Sequence, residues 1–164
     1  MGEVSTERET LTWDAFGEAC RDLARDILAA GFDPEIVVAI ARGGLLPAGA
    51  VAYGLGVKNC GALNIEFYTG IGEVLDAPTV LSPELDFDSL VGRRVLLVDD
   101  VADSGRTLAL AVGLLRERGA EVRSATIYTK PGSIAKPDFS WRETGLWINF
   151  PWSWKGTVVD EDAR

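Results

Sequence analysis

The sequence predicts one α/β domain: a mostly parallel, twisted sheet flanked by helices, closed at its C-terminal end by a small hood. Two kinds of segment alternate along the chain. Short apolar runs rich in β-branched residues, such as Glu35–Ile40 (EIVVAI) and Arg94–Val98 (RVLLV), have the length and composition of strands covered on both faces. Between them lie stretches whose apolar residues recur at three- and four-residue steps, the period of an amphipathic helix. At 164 residues and 47% hydrophobic composition the chain supports one core, so residues 1–164 are read as one domain.

In chain order, Thr12–Ala30 places Phe16, Cys20, Leu23, Ala24 and Ile27 on one helical face, with Thr12 as N-cap and Gly31 as stop. The strand Glu35–Ile40 runs into Ala41-Arg42-Gly43-Gly44. A second helix, Leu45–Leu55, tolerates Pro47 in its first turn and is closed by Gly56. Ala62–Phe67 reads as a strand. Tyr68 to about Ser89 shows neither period and contains Pro78 and Pro83; a loop this long in a compact domain is either functional, as a mobile lid, or a misread segment. Arg94–Val98 is a strand, Thr107–Arg118 a helix with Leu108, Val112 and Leu115 on one face, and Val122–Tyr128 a strand. Arg116 and Arg118 suit the negative end of that helix, and Gly119 suits its cap. The remainder, about 130–154, holds four of the five tryptophans with little periodicity and is expected to form the hood.

Composition narrows the function. Sixteen basic against 25 acidic residues give a net charge of −9, which opposes nonspecific binding to nucleic acid or an anionic membrane. No apolar run approaches the roughly 20 residues that span a bilayer, and Met1–Thr10 lacks the pattern of a secretory signal, so a cytoplasmic location is expected. There is no histidine, and Cys20 and Cys60 lack zinc-site spacing; both are expected to be buried thiols.

The strongest chemical signal is Val95–Thr107, VLLVDDVADSGRT. A strand delivers Asp99 and Asp100 to the edge where ligands bind in such sheets, and Ser104–Thr107 opens the next helix, whose free N–H groups favour a phosphate. Nucleotide hydrolases and response-regulator domains also end a strand in two aspartates, but the phosphate-loop pattern GxxxxGK[ST] that partners such an acid in the hydrolases is missing from the chain. Arg42, followed by Gly43 and Gly44 after a strand, supplies a cation and a backbone that a pyrophosphate could approach closely.

These segments resemble the type I phosphoribosyltransferases. Val95–Thr107 is similar to the family's signature for 5-phosphoribosyl-1-pyrophosphate (PRPP), Ala41–Gly44 to its pyrophosphate loop, residues 68–89 to its flexible catalytic loop, and 130–154 to the hood of the bacterial xanthine-guanine subgroup. The resemblance implies transfer of phosphoribose to hypoxanthine, guanine or xanthine, with Mg2+ as cofactor and a homodimer or homotetramer as the assembly. It implies that Asp99 and Asp100 engage the ribose hydroxyls, Asp100 also the metal. It further implies that Ser104, Gly105, Arg106 and Thr107 hold the 5′-phosphate, and that Asp103 accepts the imidazole proton of the base. Arg42, Gly43 and Gly44 would bind pyrophosphate, with the Ala41–Arg42 peptide cis. Lys130 would donate to the 6-oxo group, Trp147 stack on the base, and Ile148 offer its backbone to the base edge. Trp141, Trp152 and Trp154 are expected to be packing or subunit-contact residues. Ser153 stands where the subgroup usually carries an acid. Two other readings share the sugar-phosphate site: a PRPP-sensing regulatory homologue, and a phosphoribosyltransferase with another acceptor.

Overall fold

A computed structural model describes residues 7–66, 69–70, 73–74 and 79–161, with side chains for these except 66–84 and 160–161. Its centre is a six-stranded sheet in the order β6-β3-β2-β7-β8-β9. The strands are β2 (Ile36–Ala41), β3 (Cys60–Glu66), β6 (Thr79–Glu84), β7 (Arg94–Ala102), β8 (Glu121–Thr129) and β9 (Phe139–Glu143). All neighbours pair parallel except β6, which runs antiparallel along β3.

Three helices cover the sheet as their periodicities require. In α1 (Trp13–Ala29), Phe16, Cys20, Leu23, Ala24 and Ile27 are all buried, and the Thr12 hydroxyl accepts the Ala15 N–H at 3.1 Å. α2 (Leu45–Leu55) matches its predicted bounds and ends at Gly56, whose φ of 71° is the left-handed conformation that glycine supplies without strain. α1 and α2 pack on one face with Val37, Ala39, Leu96, Val98 and Ile127. α3 (Arg106–Glu117) closes the other face with Val38, Ile40, Leu63, Val95 and Leu97. Arg116 donates to the Val122 carbonyl at 3.1 Å, so it ties α3 to β8 as well as matching the helix end.

Three expectations are corrected. The stretch 68–89 is not without structure: it contains β4 (Thr69–Gly70), β5 (Glu73–Val74), β6 and a 3₁₀ turn, Phe87–Leu90. β6 is legible only through its pairing, because an edge strand tolerates the proline, Pro83, that argues against a strand in sequence. Residues 67–68, 71–72 and 75–78, including the end of the expected strand at Phe67, lie outside the described residues. The hood, in turn, is smaller than 130–154, since β9 continues the main sheet beside β8. What remains is β10 (Trp147–Asn149), which pairs in parallel with an unforeseen N-terminal strand, β1 (Arg8–Thr10). Finally, Cys60 is exposed, since β3 begins there at the margin of the sheet, while Cys20 is buried and its thiol pushed up to about 12 by that burial.

Trp141 and Trp152 pack against the core as expected, Trp152 stacking on Phe150 with ring centroids 4.9 Å apart. Trp154 is 60% exposed with Lys155 over its ring, so of the two expected roles, packing or subunit contact, it does not fill the first. A last short helix, α4, spans Val158–Glu161. No helix among the described residues is long and apolar enough to cross a membrane.

Candidate active site

The carboxyl ends of β2, β7 and β8 converge, as parallel pairing requires, and the candidate residues sit there. β7 extends four residues beyond its apolar run, so Asp99 and Asp100 lie within the strand and not in a loop after it. Asp99 accepts the Asp100 N–H at 2.9 Å. Burial, reinforced by the charge of Asp100, pushes the Asp99 carboxyl well above the usual carboxylate range. Burial also raises Asp100, against the lowering effect of the Val101 N–H. Two adjacent carboxyls that resist ionisation together form a place where a cation or hydroxyl donors would be welcome.

Arg42–Gly44 lies directly beside this pair. A Cβ on Gly43 would overlap the Asp100 carboxylate, and one on Gly44 would come within 2.6 Å of the Ile40 carbonyl oxygen and also overlap that of Val98. Both glycines are therefore required by close packing between the first candidate loop and the end of β7. The Ala41–Arg42 peptide is cis, and Arg42 is exposed.

Beyond β7, Asp103 and Ser104 are exposed and Gly105 takes a φ of 81° immediately before α3. The Ser104 hydroxyl accepts the Arg106 N–H at 3.3 Å, and as N-cap Gly105 brings no side chain to the helix start. The first-turn donors thus face a cavity of about 80 Å³ lined by Asp99, Asp103, Ser104, Gly105 and Thr107, among others. A larger cavity of about 450 Å³, bounded by Gly49, Tyr53, Val57, Lys58 and Cys60, contains none of the candidate residues.

The remaining candidates arrive through β8. Its register with β7 pairs Ala102 with Thr129, and the Lys130 N–H donates to the Ala102 carbonyl at 3.0 Å, which sets Lys130 beside the Asp103 loop. The Ile134 N–H bonds the Ser104 carbonyl at 2.9 Å, and a Cβ on Gly105 would meet the Ala135 nitrogen at 2.6 Å. Residues 130–135 therefore form one wall of the loop that precedes α3. Across this wall the Lys130 ammonium donates to the carbonyl of Leu146, the residue before Trp147. The Trp147 indole is 68% exposed. Because the Asn149 carbonyl accepts from Leu11 on the β1 side at 3.0 Å, strand alternation turns the backbone groups of Ile148 to the edge β1 leaves open.

All thirteen candidates thus come from three strand ends, the segments that follow them, and β10. Sequence reasoning missed Ser133, Ile134 and Ala135, which wall the loop, and Glu9, which contacts Tyr128 and Arg142. A buried tyrosine in a strand and a glutamate in a polar leader carry no spacing that would single them out.

The phosphoribosyl transferase domain family matches residues 8–162. The chain belongs to the phosphoribosyltransferase family. Curated relatives match most of the chain as well: a xanthine-guanine phosphoribosyltransferase of Ruegeria sp. is 33% identical, covering 87% of this chain and 83% of its own. Another, from Idiomarina loihiensis, is 29% identical over 93% of this chain and 91% of its own. Among solved structures, a purine phosphoribosyltransferase from Pyrococcus horikoshii superimposes with a TM-score of 0.80 at 29% identity, covering 93% of this chain and 98% of that one. The parallel sheet flanked by helices is therefore the phosphoribosyltransferase fold, and the protein is a glycosyltransferase of the pentosyl-transferring kind.

Proposed function

We propose that this phosphoribosyltransferase transfers phosphoribose from PRPP to a 6-oxopurine, hypoxanthine, guanine or xanthine, and releases pyrophosphate. The observation that carries the base assignment is the pairing of Lys130 with the carbonyl of Leu146, which holds a cationic donor against the backbone that leads directly into the exposed Trp147. An ammonium has three donors and no acceptor. It suits a 6-oxo group and not the 6-amino group of adenine, which also donates. The xanthine-guanine names of relatives at 29% and 33% identity support the same reading.

In this reading the α3 N-terminus, with Ser104, Gly105, Arg106 and Thr107, receives the 5′-phosphate through backbone N–H groups and the helix dipole. Asp99 and Asp100 accept the ribose hydroxyls. Arg42, Gly43 and Gly44 take the pyrophosphate. Trp147 stacks on the purine, and the open backbone edge of Ile148 meets its rim. The bond from ribose C1 to the pyrophosphate oxygen breaks as the bond from C1 to purine N9 forms, and Asp103 accepts the imidazole proton released. Positive charge gathers on the ribose during this exchange, and the carboxylates nearby stabilise it.

Mg2+ fits the donor set. Among the described residues no cluster of three or more acidic or thiol ligands is gathered, but the Asp99–Asp100 pair is disfavoured as a dianion and would be relieved by a hard cation. Such an ion keeps several oxygen ligands from water and substrate, so Asp100, with Asp99, is sufficient protein ligation. Bound there with PRPP, it would supply charge neutralisation for the departing pyrophosphate.

The test is incubation with PRPP, Mg2+ and separate hypoxanthine, guanine, xanthine and adenine, following nucleotide formation. Product with the 6-oxopurines and little with adenine is expected. Failure with all purines would overturn the base assignment.

A further inference from the structure

Among the described residues β1 makes its sheet pairing with β10 alone, Arg8 opposite Trp147 and Glu9 opposite Ile148. A two-stranded ribbon of three residues a side has little stability of its own. It must be held by side chains. Leu11, buried in the main core, fixes the chain just past β1, and Glu9, two residues earlier on the same side, reaches the body of the domain. One oxygen of Glu9 accepts from Arg142 Nη1 at 2.6 Å and from the Tyr128 hydroxyl at 3.3 Å. The Glu9 side chain is only 19% exposed.

The partners of Glu9 are placed to matter. Tyr128 lies two residues before Lys130 in the chain and is fully buried, its ring edge-on to Trp141 at 5.9 Å. Arg142 lies over the Trp141 ring at 4.3 Å. Glu9, Tyr128, Trp141 and Arg142 therefore close a ring of contacts linking β1, β8 and β9. Through the pairing of β1 with β10, that ring sets Trp147 and Ile148 relative to Lys130.

We propose that Glu9 is a positioning residue for base recognition, locking the β1–β10 ribbon to the end of β8 so that the two walls of the purine site keep a common geometry. The inference rests on the reading of Lys130, Trp147 and Ile148 as base-binding residues. It predicts a defect confined to the base, since Glu9 contacts none of the residues around the phosphate cavity.

Two variants test it, Glu9→Gln, which keeps the shape and removes the charge, and Arg142→Gln, which removes the other member of the pair and leaves Glu9 to Tyr128. Circular dichroism and melting confirm that each folds. Steady-state KM is measured for hypoxanthine, guanine and PRPP, and amide hydrogen exchange is followed in the segment 145–150. In Glu9→Gln the KM for base should rise about tenfold, that for PRPP should stay within about twofold, and exchange at 147–149 should quicken. Arg142→Gln should show the same pattern at about threefold. Unchanged exchange in both variants would overturn the lock itself. Quicker exchange with unchanged KM for base would show that the lock exists but that β10 is not a wall of the base site, and would overturn the proposal from that side. Absence of turnover by the unaltered protein with every purine would remove the base-site reading, and the positioning role with it.

Discussion

The two ends of the candidate site are built in opposite ways. The proposed sugar-phosphate end is nearly continuous in the chain: one strand, one turn and one helix start, Val95–Thr107, supply its carboxylates and the helix N-terminus read as its anion cradle, with Arg42–Gly44 packed against them. The proposed base end is assembled from β8, β10 and β1, whose residues lie as much as 141 positions apart where Arg8 bonds Asn149. The first is rigid through backbone packing and strand register. The second depends on a small ribbon and a few polar contacts. Substitutions at the first end should therefore alter the chemical step or the stability of the whole domain, whereas those at the second should alter recognition of one substrate.

The sharpest break of that contrast is expected at Asp103. Asp103→Asn should lower turnover by about 10²–10⁴ with little change in PRPP binding, measured by single-turnover kinetics alongside titration of PRPP. Turnover equal to that of the unaltered protein would remove Asp103 as the proton acceptor. Next in size, Gly44→Ala should destabilise the fold by about 3 kcal/mol in denaturant unfolding, because the added methyl meets backbone oxygens of both β2 and β7 that cannot step aside. An unchanged midpoint would mean that the two strand ends can separate, and the contrast with the base end would lose its physical basis.

At the base end, Trp147→Ala should raise the KM for purine about tenfold while leaving that for PRPP nearly unaltered. Equal losses for both substrates would erase the division between the two ends. The smallest effect, and the only one of opposite sign, is expected at Asp99. Its carboxyl is raised by burial and by Asp100, so the folded state holds its proton more tightly than the unfolded chain does. The associated stability is complete below the ordinary aspartate pKa of about 3.9 and is lost as pH rises through the raised value. Asp99→Asn should flatten this dependence and raise the melting temperature of the ligand-free protein at neutral and higher pH, even as it impairs the enzyme. A melting curve that falls with pH as steeply as before would assign the effect elsewhere.

These differences also explain what could be read in advance. α1 and α2 were legible to within a residue or two, because apolar period, N-cap and terminal glycine are local properties that act together. β6 was not, since Pro83 disguises a strand whose only support is its partner across the sheet edge. β1 escaped notice for a similar reason: RET has no apolar alternation, and what places it is the pairing with β10 and the grip of Glu9. Gly43 and Gly44 were legible as a close approach, but the approach in the structure is to Asp100, Val98 and Ile40 of the chain itself. Lys130 and Trp147 could be proposed as a pair only by resemblance. No residue spacing connects an ammonium at the end of β8 with the carbonyl before β10.

The sequence by itself determined the alternation of strands and helices, the acidic strand end at Asp99–Asp100 and the anion-favouring start of α3, because each follows from side-chain pattern and backbone chemistry within about a dozen residues. Tertiary structure alone decided that β9 extends the main sheet, that residues 130–135 wall the loop before α3, and that β1 braces β10 beside Lys130. Strand pairing and side-chain contacts between distant segments are selected by the energy of the whole packed domain, and that energy is not written in any one stretch of the chain.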